Sequence, residues 1–244
     1  MKTIESVQNK KIKQLAKLHT KKERDKEGRF LVEGLHMVQE ADQANQLDEI
    51  YLLMGEKNPT ELEPIYCTQP VLNKLSVQNS NAQMIGVCHK EKKEKDEERQ
   101  ILLLNQVQDP GNVGTLIRTA YSFGYDAIYL SKDCADPYNP KTIQSTQGAL
   151  FHMPIYMVDM KETILEKKQN MEIFATALHH DSIFLQEAKP KEKYGIVLGN
   201  EGQGLSEEII EACSQCIKIE MDQFESLNVA IAGSICMYHL KYAK

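Results

Sequence analysis

Tyr194-Gly-Ile-Val-Leu-Gly-Asn-Glu-Gly-Gln-Gly-Leu-Ser206 is the stretch from which the chain is read. Tyr194 to Leu198 is a short apolar run that ends in glycine, the pattern of a buried strand. Gly199, Gly202 and Gly204 then give a backbone that turns tightly and lets a ligand approach closely. The spacing is G-x-x-G-x-G, not the G-x-G-x-x-G of dinucleotide-binding turns, and no P-loop lysine follows. A nicotinamide-dependent oxidoreductase therefore lacks its fingerprint. Downstream, Ile219-Glu-Met-Asp-Gln-Phe-Glu-Ser-Leu-Asn-Val229 leads into an almost wholly apolar helix, about residues 227 to 242. Two strand ends, each opening into a polar loop and then a helix, suit a cofactor site at the carboxyl edge of a sheet.

Upstream of this stretch, Ile101 to Val107 reads as a buried strand. A helix is expected near 112 to 123, with Val113, Leu116, Ile117 and Ala120 on one face, and further strands at 126 to 130 and 172 to 177. This β-α alternation predicts an α/β domain over 100 to 244 with a mostly parallel sheet flanked by helices. Residues 90 to 99 hold five Lys/Arg and five Asp/Glu with no apolar residue, so 91 to 99 reads as a linker. Before it, residues 1 to 90 alternate short strands and helices, which indicates a smaller α/β domain. Its first helix is basic and amphipathic, with Ile12, Leu15, Ala16 and Leu18 among lysines.

The 244 residues carry a net charge of −6. Residues 1 to 30 hold ten Lys/Arg against four Asp/Glu, a local +6, so the remainder carries −12. Such asymmetry is compatible with an arm that meets phosphate, and equally with a solvated basic helix. No run of 18 apolar residues or signal-peptide pattern occurs, so a cytoplasmic protein without membrane contact is expected. The six cysteines include a single C-x-x-C, Cys213 and Cys216, with no second pair to complete a zinc site. Packed, reduced thiols and no metal are expected.

Three segments resemble the motifs of the SpoU/TrmH family, RNA ribose 2′-O-methyltransferases of the SPOUT superfamily. They are Asp-Pro-Gly-Asn-Val-Gly-Thr-Leu-Ile-Arg-Thr-Ala at 109 to 120, Gly-Asn-Glu-Gly-Gln-Gly-Leu at 199 to 205, and Glu-Ser-Leu-Asn-Val at 225 to 229. They occur in the family's order over about 120 residues. Arg29-Phe-Leu-Val-Glu-Gly34 and the elements after it are similar to the family's substrate-binding domain, which resembles ribosomal proteins that hold RNA. Two positions depart from the pattern. Gln144 stands where relatives often carry arginine, and Asn81-Ala-Gln-Met-Ile-Gly86 replaces a Pro-Gln-Gly segment.

The resemblance implies a deep trefoil knot formed from about residue 194 onward, a homodimer, and S-adenosylmethionine as cofactor. It places the cofactor against Thr176, Ala177, Leu178, Leu198, Gly199, Gly204, Ile219, Met221, Ser226 and Leu227. It gives catalytic roles to Asn112, Arg118, Glu201, Ser226 and Asn228. Read without the family, Arg118 suits an ion pair on a buried-facing position, Glu201 a helix N-terminal charge, and Ser226 the N-cap of the last helix. With the family, Glu201 orients Arg118 or the RNA. The implied activity is methyl transfer to a ribose 2′-hydroxyl of structured RNA, with rRNA ahead of tRNA. The alternative of another class is an RNA-binding protein of the same fold that has lost transfer.

Overall fold

The computed structural model describes residues 2–77, 81–93, 97–223 and 226–242. Residues 94–96 of the expected linker lie outside the described residues. The chain separates into two compact units, Met1–Lys92 with Asp136–His152, and Lys93–Ala135 with Met153–Lys244.

The first unit contains β1 (Lys2–Ile4), α1 (Lys10–Ala16), α2 (Lys21–Glu27), β2 (Arg29–Glu33), α3 (Leu35–Gln43), β3 (Leu47–Leu53), β4 (Ile65–Cys67), α4 (Gln69–Leu75) and β5 (Met84–His89). Its mixed sheet runs β1-β4-β3-β5-β2, with β5 antiparallel to both β3 and β2. Ile12, Leu15, Val71, Leu72 and Leu75 from α1 and α4 close one core against Tyr51, Ile85 and Val87 of the sheet. Sequence periodicity does not reveal α2. Of its seven residues only Arg24 is buried, so no apolar stripe marks it. It ends at Gly28, which takes the left-handed conformation at φ 64°.

The segment Asp136–His152 includes a further helix, Pro140–Thr146, and clusters with the N-terminal residues. It lies within the stretch 100 to 244 expected as one domain. Phe30 explains part of the difference, because its ring packs 4.9 Å from Tyr138 and 6.1 Å from Phe151. Arg24, 3% exposed, pairs with Asp136 at 2.6 Å and donates to the carbonyls of Leu18 and His19. Asp136→Ala strands that buried guanidinium. It is expected to cost about 3 kcal/mol, the low end of the penalty for breaking a buried pair, because both carbonyls remain. Chemical denaturation of the two proteins would measure the difference, and a change below about 0.5 kcal/mol would remove the pair's structural role.

The second unit carries a seven-stranded, wholly parallel sheet. In chain order, counting the Pro140–Thr146 helix as α6, its elements are β6 (Gln100–Leu104), α5 (Pro110–Ser122), β7 (Ala127–Ser131), β8 (Ile155–Val158), α7 (Met160–Lys167), β9 (Glu172–Thr176), β10 (Ile183–Phe184), β11 (Tyr194–Leu198), α8 (Glu207–Ala212), β12 (Gln215–Lys218) and α9 (Val229–Tyr242). The strand order is β10-β12-β9-β11-β6-β7-β8. β11 sits centrally, with Ile196 opposite Leu102 on one side and Phe174 on the other. All five residues of β11 are buried, as a strand covered on both faces requires.

On one face α7 and α8 cover Ile101, Leu103, Ala175 and Val197. On the other, α9 packs against α5 and β11. A Cβ on Gly233 would lie 2.5 Å from the Leu198 side chain and 2.6 Å from Leu116, so glycine sets that close approach. α9 buries Val229, Ala230, Gly233, Cys236, Met237 and Leu240 on one side. Its other side leaves Ile231, Ile235, Tyr238 and Tyr242 between 39% and 58% exposed. All six cysteines are free and buried.

Candidate functional site

Because every strand of the second sheet is parallel, the carboxyl ends of β6, β9, β11 and β12 share one edge, and their loops meet there. Gly199 begins the central loop. A Cβ at this position would fall 2.5 Å from the Gly204 carbonyl carbon and 2.7 Å from the Leu205 nitrogen. The loop folds back on itself through reciprocal Asn200–Gly204 backbone bonds of 3.0 and 2.9 Å, with Gly204 at φ 69°. The Asn200 side chain accepts from the N–H groups of Gly202 and Gln203 and donates to the Gln106 carbonyl at 2.9 Å. Gln106 itself is left-handed at φ 59°, and its N–H donates to Ser131 Oγ at 2.9 Å.

These loops enclose a cavity of about 460 Å³, within the roughly 300–1,000 Å³ typical of small-molecule sites. All ten residues expected to hold the cofactor line it: Thr176, Ala177, Leu178, Leu198, Gly199, Gly204, Ile219, Met221, Ser226 and Leu227. Leu198, Ile217, Ile219 and Leu227 offer apolar walls for a flat aromatic ring. The loop backbones offer amides and carbonyls, and Glu207, His179 and Lys218 lie at the margin. This donor set and size fit a nucleoside linked to an amino acid. Asn200, His179 and Lys218 were not anticipated. An asparagine inside a glycine turn was the available signal for Asn200. His179 forms a close group with His180 and Asp181, whose ligand atoms lie within 4.8 Å of one another. His180 pairs directly with Asp181 at 3.0 Å, and both are exposed.

The residues given catalytic roles separate into two groups. Glu201, Asn112 and Asn228 form a chain of hydrogen bonds. Asn112 donates to Glu201 at 3.1 Å, and Asn228 donates to Asn112 at 3.0 Å. Glu201 also accepts from the backbone N–H groups of Gln108 and Asp109, so its carboxylate closes the turn that starts α5. Burial pushes this carboxyl up, but donation from Asn112 and from nearby N–H groups outweighs it and holds the group below its ordinary value of 4.5. A depressed value contributes stability that is present above pH 4.5 and lost as the pH falls through the folded-state value. Glu201→Gln should remove that contribution and set an amide NH₂ against backbone donors. Its melting point should fall below the wild type's at neutral pH, with the gap narrowing below about pH 4.5. Parallel melting curves at both pH values would speak against the assignment.

Two expectations are corrected here. Arg118 does not face the core: its side chain is exposed, and among the described residues no carboxylate lies within ion-pair distance. It stands about 9 Å along the helix axis from Asn112 and does not line the cavity. Within one chain Glu201 holds Asn112 and the loop. The N-cap of α9 is Asn228, not Ser226. The Asn228 Oδ1 accepts from Ala230 N at 2.9 Å and Ile231 N at 3.3 Å, while Ser226 lines the cavity. Asn228 thus serves helix and network together.

Residues 99–238 match the SpoU rRNA Methylase family, and residues 9–86 match an MRM3-like substrate binding domain. The chain is 37% identical to the 23S rRNA (guanosine(2553)-2′-O)-methyltransferase RlmP of Bacillus subtilis, across 99% of this chain and 100% of that one. A crystal structure of an RNA 2′-O ribose methyltransferase superimposes with a TM-score of 0.83 at 29% identity, covering 98% and 97% of the two chains. An AdoMet-bound rRNA methyltransferase from Sinorhizobium meliloti shares the fold, with a TM-score of 0.87 at 24% identity over the same shares.

Proposed function

The chain belongs to the SpoU rRNA methylase family, and from that premise we propose that it methylates a ribose 2′-hydroxyl of large-subunit ribosomal RNA. The observation that carries this reading is the cavity at the carboxyl edge, lined by all ten residues expected to hold S-adenosylmethionine. That cofactor supplies an electrophilic methyl group, so the protein chiefly binds, orients and handles a proton.

Leu198, Ile219 and Leu227 would cover the adenine, and the backbone of 199 to 204 would hold the polar parts of the cofactor. Glu201, Asn112 and Asn228 fix the loops around them. Arg118 stabilises the charge that builds on the ribose oxygen, or fixes the neighbouring phosphate. It does not act as a free base, because a guanidinium keeps its proton in proteins. The hydroxyl proton would leave to water or phosphate as the oxygen takes the methyl group, whose bond to the sulfonium breaks to leave a neutral thioether.

Arg118 serves the cavity of a second copy. The support is its distance from its own cavity together with the exposed apolar stripe of Ile231, Ile235, Tyr238 and Tyr242 on α9. A homodimer across α9 buries that stripe. The chain from β11 onward is also proposed to be knotted. It leaves the centre of the sheet for β12, beyond β9, and returns to pack α9 on β11 and α5. Residues 1–90 hold RNA, 91–99 link, and 100–244 carry the transferase. A cytoplasmic setting fits six free, buried cysteines.

Incubation of the purified protein and labelled cofactor with unmodified large-subunit rRNA, small-subunit rRNA and tRNA tests the target. Label is expected in large-subunit rRNA; label confined to tRNA would overturn that assignment.

A further inference from the structure

We propose that Lys10, Lys13 and Lys17 form the surface on which this protein grips the phosphate backbone of its RNA, a proposal that rests on the RNA substrate given above. On α1 the buried residues are Ile12 and Leu15. At 100° per residue, Lys10 and Lys13 fall on the opposite side, and Lys17, the C-cap residue still in helical conformation, continues that stripe at i, i+3 and i+7. All three are exposed, and Gln14, beside them, is neutral.

They combine this shared stripe with isolation from carboxylates, unlike Lys11, Lys21 and Arg24 close by in the chain. Several basic side chains of the first unit are neutralised at home: Lys2 by Glu63, Lys11 by Glu49, Lys21 by Asp25, Arg24 by Asp136, Arg29 by Glu49 and Lys90 by Asp25. Among the described residues no carboxylate lies within ion-pair distance of Lys10, Lys13 or Lys17, nor of Lys22 on the next helix. Three like charges on adjacent helical turns, about 5–6 Å apart, repel one another and are unfavourable without an anionic partner.

The helix is also rigidly presented. Ile12 and Leu15 sit in the core, the Lys11–Glu49 pair closes one flank at 2.6 Å, and His19 bonds the Leu75 carbonyl at 2.9 Å. A rigid positive stripe on a chain of net charge −6 gives a polyanion a place to land. The match to a substrate-binding domain, residues 9–86, includes this helix. Because lysine contacts phosphate as a point charge, the stripe grips RNA without reading bases.

The test is a full-length Lys10→Gln/Lys13→Gln/Lys17→Gln variant titrated with a fluorescent large-subunit rRNA fragment across a salt series. Each phosphate contact contributes roughly 0.7–0.9 to the slope of log K against log salt, so the slope should flatten by about 2. Affinity at low salt should fall at least tenfold, and the KM for RNA should rise while kcat at saturating RNA stays within twofold. Melting point and cofactor affinity should not change, and the triple arginine variant should restore binding. Unchanged slope and affinity would overturn the surface, whether or not the wild type transfers methyl groups. A wild type that binds through the stripe yet transfers nothing would uphold the surface and remove the activity.

Discussion

Arg118→Ala is expected to lower methyl transfer about a thousandfold while leaving cofactor affinity within a few-fold. The size follows from removing one donor aimed at developing charge, which costs roughly 10²–10³ in rate, with added loss if the same guanidinium positions the phosphate. Cofactor affinity survives because Arg118 does not line the cavity. Stability survives because the side chain is exposed and forms no ion pair among the described residues, so the free energy of unfolding should stay within about 0.5 kcal/mol of wild type. Arg118→Lys keeps the charge but loses the planar fork and should recover only part of the rate. Normal methylation by Arg118→Ala would show that the catalytic residue lies elsewhere. Mixing Arg118→Ala chains with cavity-dead chains should restore transfer, since the mixed dimer pairs one intact cavity with one intact arginine.

Gly199→Val supplies the cavity-dead chain. Its Cβ would sit 2.5 and 2.6 Å from the carbonyl carbon and oxygen of Gly204. Those are backbone atoms and cannot rotate away as a side chain would. Relief requires parting the reciprocal Asn200–Gly204 hydrogen bonds, which collapses the loop that forms the cavity wall. Calorimetric titration should find no measurable cofactor binding. Gly204→Ala provides the contrast. Nothing lies within 4 Å of its added Cβ, and only its φ of 69° opposes the change, a strain of about 1–2 kcal/mol. That variant should still bind, more weakly. Equal, undiminished affinity in both variants would move the cofactor site out of this cavity.

The sheet was legible because Ile101–Leu104 and Tyr194–Leu198 are continuous apolar runs, a pattern that parallel strands covered on both faces require. Cavity residues were legible for a related reason, being apolar or small positions at strand ends beside a glycine turn. Arg118 was misplaced although the periodicity spoke clearly. Val113, Leu116, Ile117 and Ala120 define the buried face of α5, and residue 118 falls off it. The partner of Glu201 was not legible. It depends on Gln106 in a left-handed conformation, held by Ser131 from one side and Asn200 from the other. Those contacts span 25 and 94 positions in the chain, and no local pattern encodes them. The placement of Asp136–His152 is likewise a long-range matter, resting on contacts of Arg24, Phe30, Glu40 and Gln46.

Alkaline digestion of rRNA labelled by this protein with radioactive S-adenosylmethionine tests the central claim most directly. A methyl group on the 2′-oxygen removes the nucleophile that cleaves the adjacent phosphodiester. The account therefore predicts label in an alkali-resistant dinucleotide, absent when Arg118→Ala replaces the wild type. Label released in mononucleotides would place the methyl group on a base and contradict the chemistry.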